Sequence, residues 1–328
     1  MSKIQKTIAR QQEKIEEGQY YEAHQQLRVI ASRYVKQSNW DAAIDILSSG
    51  ASGLLKAGQG GSGGDLCMFL IDTYNKAELK PDAASKARLL GLLRAFPAGE
   101  PTRKRFIGEC IGWSSRFGEY PAGDPELHHV AGALYADEDE PYEAEKHLIL
   151  GTKDSPELLT RLEYTWYAED EPSTAPLYCA RVVLPYLLTG NLRSANQAFL
   201  LFTTRLQTTN PGLVASEVSS QSSDLRVFPS LPLLNFLGLL LLACQRGDSS
   251  LFRMLKSQYK GYLADVKNWD EALSQIGEMY FAIKVPSQSN PLFDMMSNMM
   301  MGGGGGGAQK KQPRRVGASA PPPAPGVD

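Results

Sequence analysis

The sequence predicts an all-α protein, an α-solenoid of stacked antiparallel helical hairpins. Three observations lead there. One turn signature recurs along the chain, apolar residues between the turns follow a 3.6-residue period, and prolines fall between the periodic stretches. The signature is clearest at Gly18-Gln19-Tyr20-Tyr21-Glu22-Ala23. Gly18 supplies the positive φ that closes a helix. Tyr20 and Ala23 then sit three apart on one helical face, the ring to plug the groove between two antiparallel helices and the alanine to let their backbones approach. Trp40 and Ala43 repeat this after Ser38, Leu192 and Ala195 after Gly190, and Trp269 and Ala272 after Lys267. Pro141-Tyr142-Glu143-Ala144 is a fifth echo with its aromatic one residue out of register. Such a signature marks tetratricopeptide-like arrays. The spacing is irregular, so the array is degenerate; an ordinary helical bundle with a favoured turn is the alternative.

In chain order, helices are expected at about 2–17, 20–36, 40–55, 66–78, 83–96, 103–117, 125–136, 141–151, 156–166, 178–188, 191–206, 231–244, 251–262 and 269–280. Ile4, Ile8 and Ile15 share one face of the first, and Lys3, Lys6, Arg10 and Lys14 another. In the second, Ala23, Leu27, Ile30, Ala31 and Tyr34 point to the core. Gly58-Gln59-Gly60-Gly61-Ser62-Gly63-Gly64 reads as a flexible turn, with Asp65 capping the helix that follows. It lacks the Gly-Lys-Ser/Thr of a phosphate loop. Pro185 inside the tenth pattern marks a kink or a restart. Residues 207–230 are rich in Ser, Thr, Asn, Pro and Gly and form a long insertion, either a β-hairpin arm with Val227 and Phe228 exposed or a mobile loop. Residues 281–286 read as a final extended piece, 294–301 as a methionine-rich contact segment or frayed helix, and 298–328 as a disordered Gly/Pro-rich tail. The array itself divides into an N-terminal half, 1–155, and a C-terminal half, 156–297.

Composition narrows the function classes. Of the 328 residues 42% are hydrophobic and 21% charged, and the net charge of −2 gives no global attraction to nucleic acid or membrane. Cys67, Cys110, Cys179 and Cys244 are far apart and form no C-x-x-C, so they read as reduced, buried thiols of a cytosolic protein. Met1 to Arg10 lacks the apolar stretch of a secretory signal. The longest apolar run, 231–244, is too short to span a bilayer and reads as a buried helix. His128, His129 and His147 lack metal-ligand spacing and read as surface or capped residues. The acidic run 137–140 reads as a solvated loop. Asp65 and Asp72 lie seven apart on roughly one face, a spacing compatible with paired carboxylates but with no histidine nearby in sequence. Among catalytic motifs there is no nucleophile elbow, dinucleotide fingerprint or P-loop. No cofactor or metal is implied. Locally the first 36 residues carry seven Lys/Arg against four Glu. That face is either simply solvated or a docking surface for an acidic protein.

The residues also carry a family resemblance. Tyr20-Tyr21-Glu22-Ala23-His24-Gln25, Arg33-Tyr34, Asp41-Ala42-Ala43 and Gly64-Asp65-Leu66 resemble the Golgi to ER traffic protein 4 family. So do Phe117-Gly118-Glu119-Tyr120, Gly123-Asp124-Pro125, Tyr142-Glu143-Ala144-Glu145, Leu150-Gly151-Thr152 and Asp294-Met295-Met296, in the same order over about residues 2–300. In animals the counterpart is the helical adaptor of the transmembrane-domain recognition complex. The resemblance implies a non-enzymatic cytosolic adaptor that helps deliver tail-anchored membrane proteins to the endoplasmic reticulum. Its N-terminal half is expected to dock the dimeric targeting ATPase through Lys3, Lys6, Arg10, Lys14, Tyr20, His24, Arg28 and Lys36, although Tyr20 and His24 border the core. Asp65 and Asp72 are expected to restrain ATP hydrolysis. The C-terminal half is expected to hold the N-terminal segment of a ubiquitin-like partner, which recruits a small co-chaperone, through Val227, Phe228, Leu231, Leu234 and Phe236. Two readings from other classes stand beside it: a generic helical-repeat subunit of a larger cytosolic assembly, and an enzyme with a site hidden in the concave face.

Overall fold

The computed structural model describes residues 3–213, 216–220 and 223–283, and among these the regular structure is fifteen α-helices, two short 3-10 turns and one β-hairpin. In order they are α1 (Lys3–Glu16), α2 (Tyr20–Lys36), α3 (Trp40–Lys56), α4 (Gly60–Lys76), α5 (Ala83–Ala95), α6 (Pro101–Phe117), α7 (Pro125–Asp137), α8 (Pro141–Leu148), α9 (Ser155–Tyr167), α10 (Ala175–Leu188) and α11 (Leu192–Thr209). Strands β1 (Ser216–Ser220) and β2 (Ser223–Val227) follow, then α12 (Pro232–Arg246), α13 (Ser249–Gln258), α14 (Lys260–Leu263) and α15 (Asp270–Phe281). All belong to one compact unit, Met1–Gln288; a second, Ser289–Asp328, lies outside the described residues. The extended piece at 284–286, the methionine-rich 294–301 and the tail 298–328 are therefore outside them too. Phe281 itself ends α15, and Ala282 follows in the left-handed region at φ 51°.

Stacking follows from the turn signature. Each early helix packs on the next and on the next but one: α1 on α2 and α3, α2 on α3 and α4, α3 on α4 and α5. This gives two layers, α1–α3–α5–α7–α9–α11 on one side and α2–α4–α6 on the other. At the residues that close the turns, φ is positive: Gly18, Ser38, Gly58 and Glu78, each twenty positions after the last. Ala23, Ala43 and Ala144 are fully buried, as is Ala195. The periodicity at the start of the chain is therefore more regular than the sequence suggested. Asp139 is a further left-handed turn, and it brings Pro141 into the place that Tyr20 holds, which leaves Tyr142 exposed. At Lys267–Trp269 the echo is different. These residues form a 3-10 turn with buried Trp269, and Ala272 is only partly buried.

The glycine run is the largest correction. It is not a flexible turn: only Gly58 closes the turn, at φ 73°, and Gly60 to Gly64 form the first turns of α4. The reason is close packing. A Cβ on Gly63 would lie 2.6 Å from Leu55 Cγ on α3, and one on Gly64 would lie 2.9 Å from Thr102 Cγ2 on α6. Asp65 is accordingly inside the helix, where it cannot cap it; the N-cap residue is Gln59.

Other expectations divide. The four cysteines are free and buried. The helix α10 continues through Pro185, so no restart occurs there. The insertion contains an antiparallel hairpin with Ser216 opposite Val227 and Ser220 opposite Ser223. In the acidic run, Glu138 is not merely solvated but is ion-paired with the buried guanidinium of Arg103. His128 is buried rather than a surface residue. Its ring Nε2 lies 3.0 Å from the Ala122 carbonyl and its Nδ1 3.1 Å from His147 Nδ1. A carbonyl only accepts, so Nε2 carries the proton and His147 donates to His128. Burial depresses both histidines, His147 to about 4, with His128 adding to the effect there.

Candidate partner-binding faces

The basic residues expected at the N-terminal end divide into two kinds. Lys3, Lys6, Arg10 and Lys36 are exposed, and among the described residues no carboxylate lies within 4.0 Å of them. The first three fall within about 60° of one another around α1, at about 100° per residue, and so form one outward stripe. Lys36 sits about 80° around α2 from Arg28, away from the other candidates on that helix. The remaining candidates are held internally. Lys14 bonds Glu22 at 3.0 Å, and Tyr20 is partly buried against the core.

His24 and Arg28 meet an acid that sequence distance had hidden. His24 Nε2 is 2.8 Å from Asp65 Oδ2, and Arg28 Nη1 donates to both Asp65 oxygens. Beneath the guanidinium lies the Phe69 ring, 5.8 Å from Cζ to centroid. Partial burial acts to raise the Asp65 pKa, but the hydrogen bonds from Arg28 and His24 outweigh it, so the carboxyl titrates below its ordinary range. The expected docking residues and the first expected regulatory residue thus form one cluster across α2 and α4. Asp72 lies two turns further along α4 and bonds Lys76 at 2.6 Å, an exposed i, i+4 pair. Asp65, Phe69, Asp72 and Lys76 make one stripe on α4. Phe69 and Lys76 were missed from sequence, although their spacing of four from the two aspartates was visible.

At the C-terminal end the structure corrects the expected surface. Phe228, Leu234 and Phe236 are fully buried, Leu231 nearly so, and Val227 is partly buried. Phe228 is therefore not an exposed hairpin residue. It plugs the base of the hairpin while Phe236 packs beside Tyr259 and Trp269, at 5.6 and 6.4 Å between centroids. Among the described residues of this half, the large apolar side chains that are exposed are Leu177, Leu200, Leu201, Met254, Tyr262 and Met279. Below the insertion runs an open groove of about 390 Å³. Tyr167, Leu206, Asn210, Leu213 and Leu231 are among its walls, so Leu231 alone of the expected set borders open space there. Arg226 anchors the hairpin by donating to Thr204 Oγ1 on α11 at 2.8 Å.

No cluster of three or more His, Cys, Asp or Glu suited to a metal occurs among the described residues. A second groove, of about 550 Å³ between α1 and α3, is walled mostly by Gln12, Ile15, Tyr20, Ser49, Ser52 and Gly53. Among the described residues no helix is long and apolar enough to cross a membrane.

A two-layered helical solenoid with a charged face at one end and an open groove toward the other belongs to the helical-repeat class. Comparison with known proteins narrows this. A family model, "Golgi to ER traffic protein 4", matches residues 37–300. Golgi to ER traffic protein 4 of Aspergillus fumigatus is 60% identical over 311 residues, covering 91% of this chain and 90% of that one. The human Golgi to ER traffic protein 4 homolog is 27% identical over 296 residues, 90% and 85% of the two chains. A solved structure, the crystal structure of C. therm. Get4, matches with a TM-score of 0.85 at 54% identity, covering 96% of this chain and all of that one. The chain belongs to the Golgi to ER traffic protein 4 family, and membership supports a role in Golgi to ER traffic. The family model begins at Gln37, after the last candidate docking residue of α2.

Proposed function

We propose that the chain is a non-enzymatic, cytosolic adaptor in the delivery of tail-anchored membrane proteins to the endoplasmic reticulum. Its N-terminal half, 1–155, docks the dimeric targeting ATPase and restrains hydrolysis. Its C-terminal half, 156–297, holds a ubiquitin-like protein that recruits the small co-chaperone carrying the client. The observation that carries the reading is the stripe Lys3, Lys6 and Arg10. It offers three exposed cations on α1 with no carboxylate partner among the described residues, and the Arg28–Asp65 cluster lies on the α2–α4 pair of the same half. Long-range attraction between such a stripe and an acidic partner raises the association rate and makes binding salt-sensitive. For the second partner the support is the groove lined by Tyr167, Leu206, Leu213 and Leu231 together with exposed Leu200, Leu201 and Met254, rather than the buried residues named from sequence.

Size-exclusion chromatography of the full chain mixed with both partners tests the bridge. The adaptor reading expects one complex containing all three components. Recovery from cells only within a many-subunit assembly, with neither partner bound, would instead favour a generic scaffold subunit.

A further inference from the structure

We infer that Asp65 is an internal counter-ion masking Arg28, and that an acidic residue of the docking partner exchanges with it. The inference rests on the docking role proposed above and adds how that face is regulated. The geometry has three parts. First, Arg28 uses only Nη1 to hold Asp65; among the described residues its Nε and Nη2 edge has no acceptor, so an incoming carboxylate can bind that edge before Asp65 leaves. Second, the Phe69 ring under the guanidinium keeps Arg28 in place whichever acid it holds. Third, the side chains of Arg28 and Asp65 are 44% and 38% exposed. A pair that open to water is weak and replaceable, unlike a buried one.

Exchange has a consequence for Asp65. His24 is only 13% exposed and holds Asp65 Oδ2 at 2.8 Å independently of Arg28. Once Arg28 turns to the partner, Asp65 remains tethered to α2 through His24 but loses its cation. A carboxylate that is neutralised in the free adaptor then faces the interface as an unbalanced charge. Docking and regulation are coupled through one residue pair.

A double-mutant cycle on the full chain tests this, with affinity for the ATP-loaded targeting ATPase as the readout at fixed salt and with helicity and melting checked for each protein. The four proteins are the unaltered chain, Arg28→Gln, Asp65→Asn and the double variant. Unmasking predicts that Asp65→Asn tightens binding about two- to fivefold when Arg28 is present, the range set by exposed ion pairs, and leaves it unchanged when Arg28 is Gln. Equal tightening in both backgrounds means simple long-range repulsion by Asp65 and overturns the inference, as does weakened binding by Asp65→Asn. Absence of binding by the unaltered chain in every nucleotide state overturns the docking role itself, and this inference with it.

Discussion

The side-chain amide of Asn235 closes on both backbone groups of Phe228. Phe228 N–H donates to Asn235 Oδ1 at 2.7 Å, and Asn235 Nδ2 donates to the Phe228 carbonyl at 2.8 Å. Asn235 lies in the first turn of α12 and Phe228 directly follows β2, so one buried amide ties the hairpin to the helix after it. This also explains a polar residue inside the most apolar run of the sequence.

Replacing Asn235 by Ala leaves the buried Phe228 N–H without a partner, while the Phe228 carbonyl keeps the Leu231 N–H at 3.0 Å. The expected cost is about 1–3 kcal/mol, the usual penalty for one buried unsatisfied group. Denaturant unfolding measures it, and amide exchange at Phe228 should accelerate. Unchanged stability would show that the hairpin base does not depend on this clamp.

A pair of glycine substitutions checks why α4 begins as it does. At Gly61 a Cβ meets nothing within 4 Å, so Gly61→Ala should stabilise by about 0.5–1 kcal/mol through helix propensity. At Gly63 the same change drives a Cβ into Leu55, and overpacking of about 1–3 kcal/mol should outweigh that gain. Thermal melting of the two variants should therefore shift in opposite directions.

These residues also show where sequence reading succeeded and failed. The helical class, the turn signature at Gly18 and the positions of α2 and α3 were legible because propensity, period and packing agree there. Five glycines in seven residues argue locally for a loop, and the helix forms because the neighbouring helices require bare backbone. Ser38 and Glu78 take left-handed turns without glycine, so the twenty-residue repeat was disguised. At the proposed docking face the charges were readable but their pairing was not. Arg28 and Asp65 are thirty-seven residues apart, and only the packing of α2 on α4 joins them. The hairpin residues were misjudged for the opposite reason: Val227 and Phe228 look alike in sequence, and it is Asn235 that turns Phe228 inward.

Acid sensitivity should come early, from the histidine pair between α7 and α8. Both are depressed by burial, His147 from 6.5 to about 4. The unfolded chain therefore takes up these protons first, and stability falls as pH drops from about 6.5 toward 4, with no further loss from His147 below that. His147→Gln should remove at most about 2 kcal/mol of the loss between pH 7.5 and 5. Denaturant unfolding at the two pH values compares it with the unaltered chain. An identical loss in both proteins would place the acid sensitivity elsewhere.

The most direct test of the adaptor account is binding of the full chain to the targeting ATPase, with and without ATP, across a salt series, beside a Lys6→Glu/Arg10→Glu variant. The account predicts ATP-dependent binding that weakens steadily with salt and falls at least about tenfold on reversing these two charges, each rim charge acting mainly on the association rate. Binding indifferent to salt and to both reversals, or no binding in any nucleotide state, would contradict it.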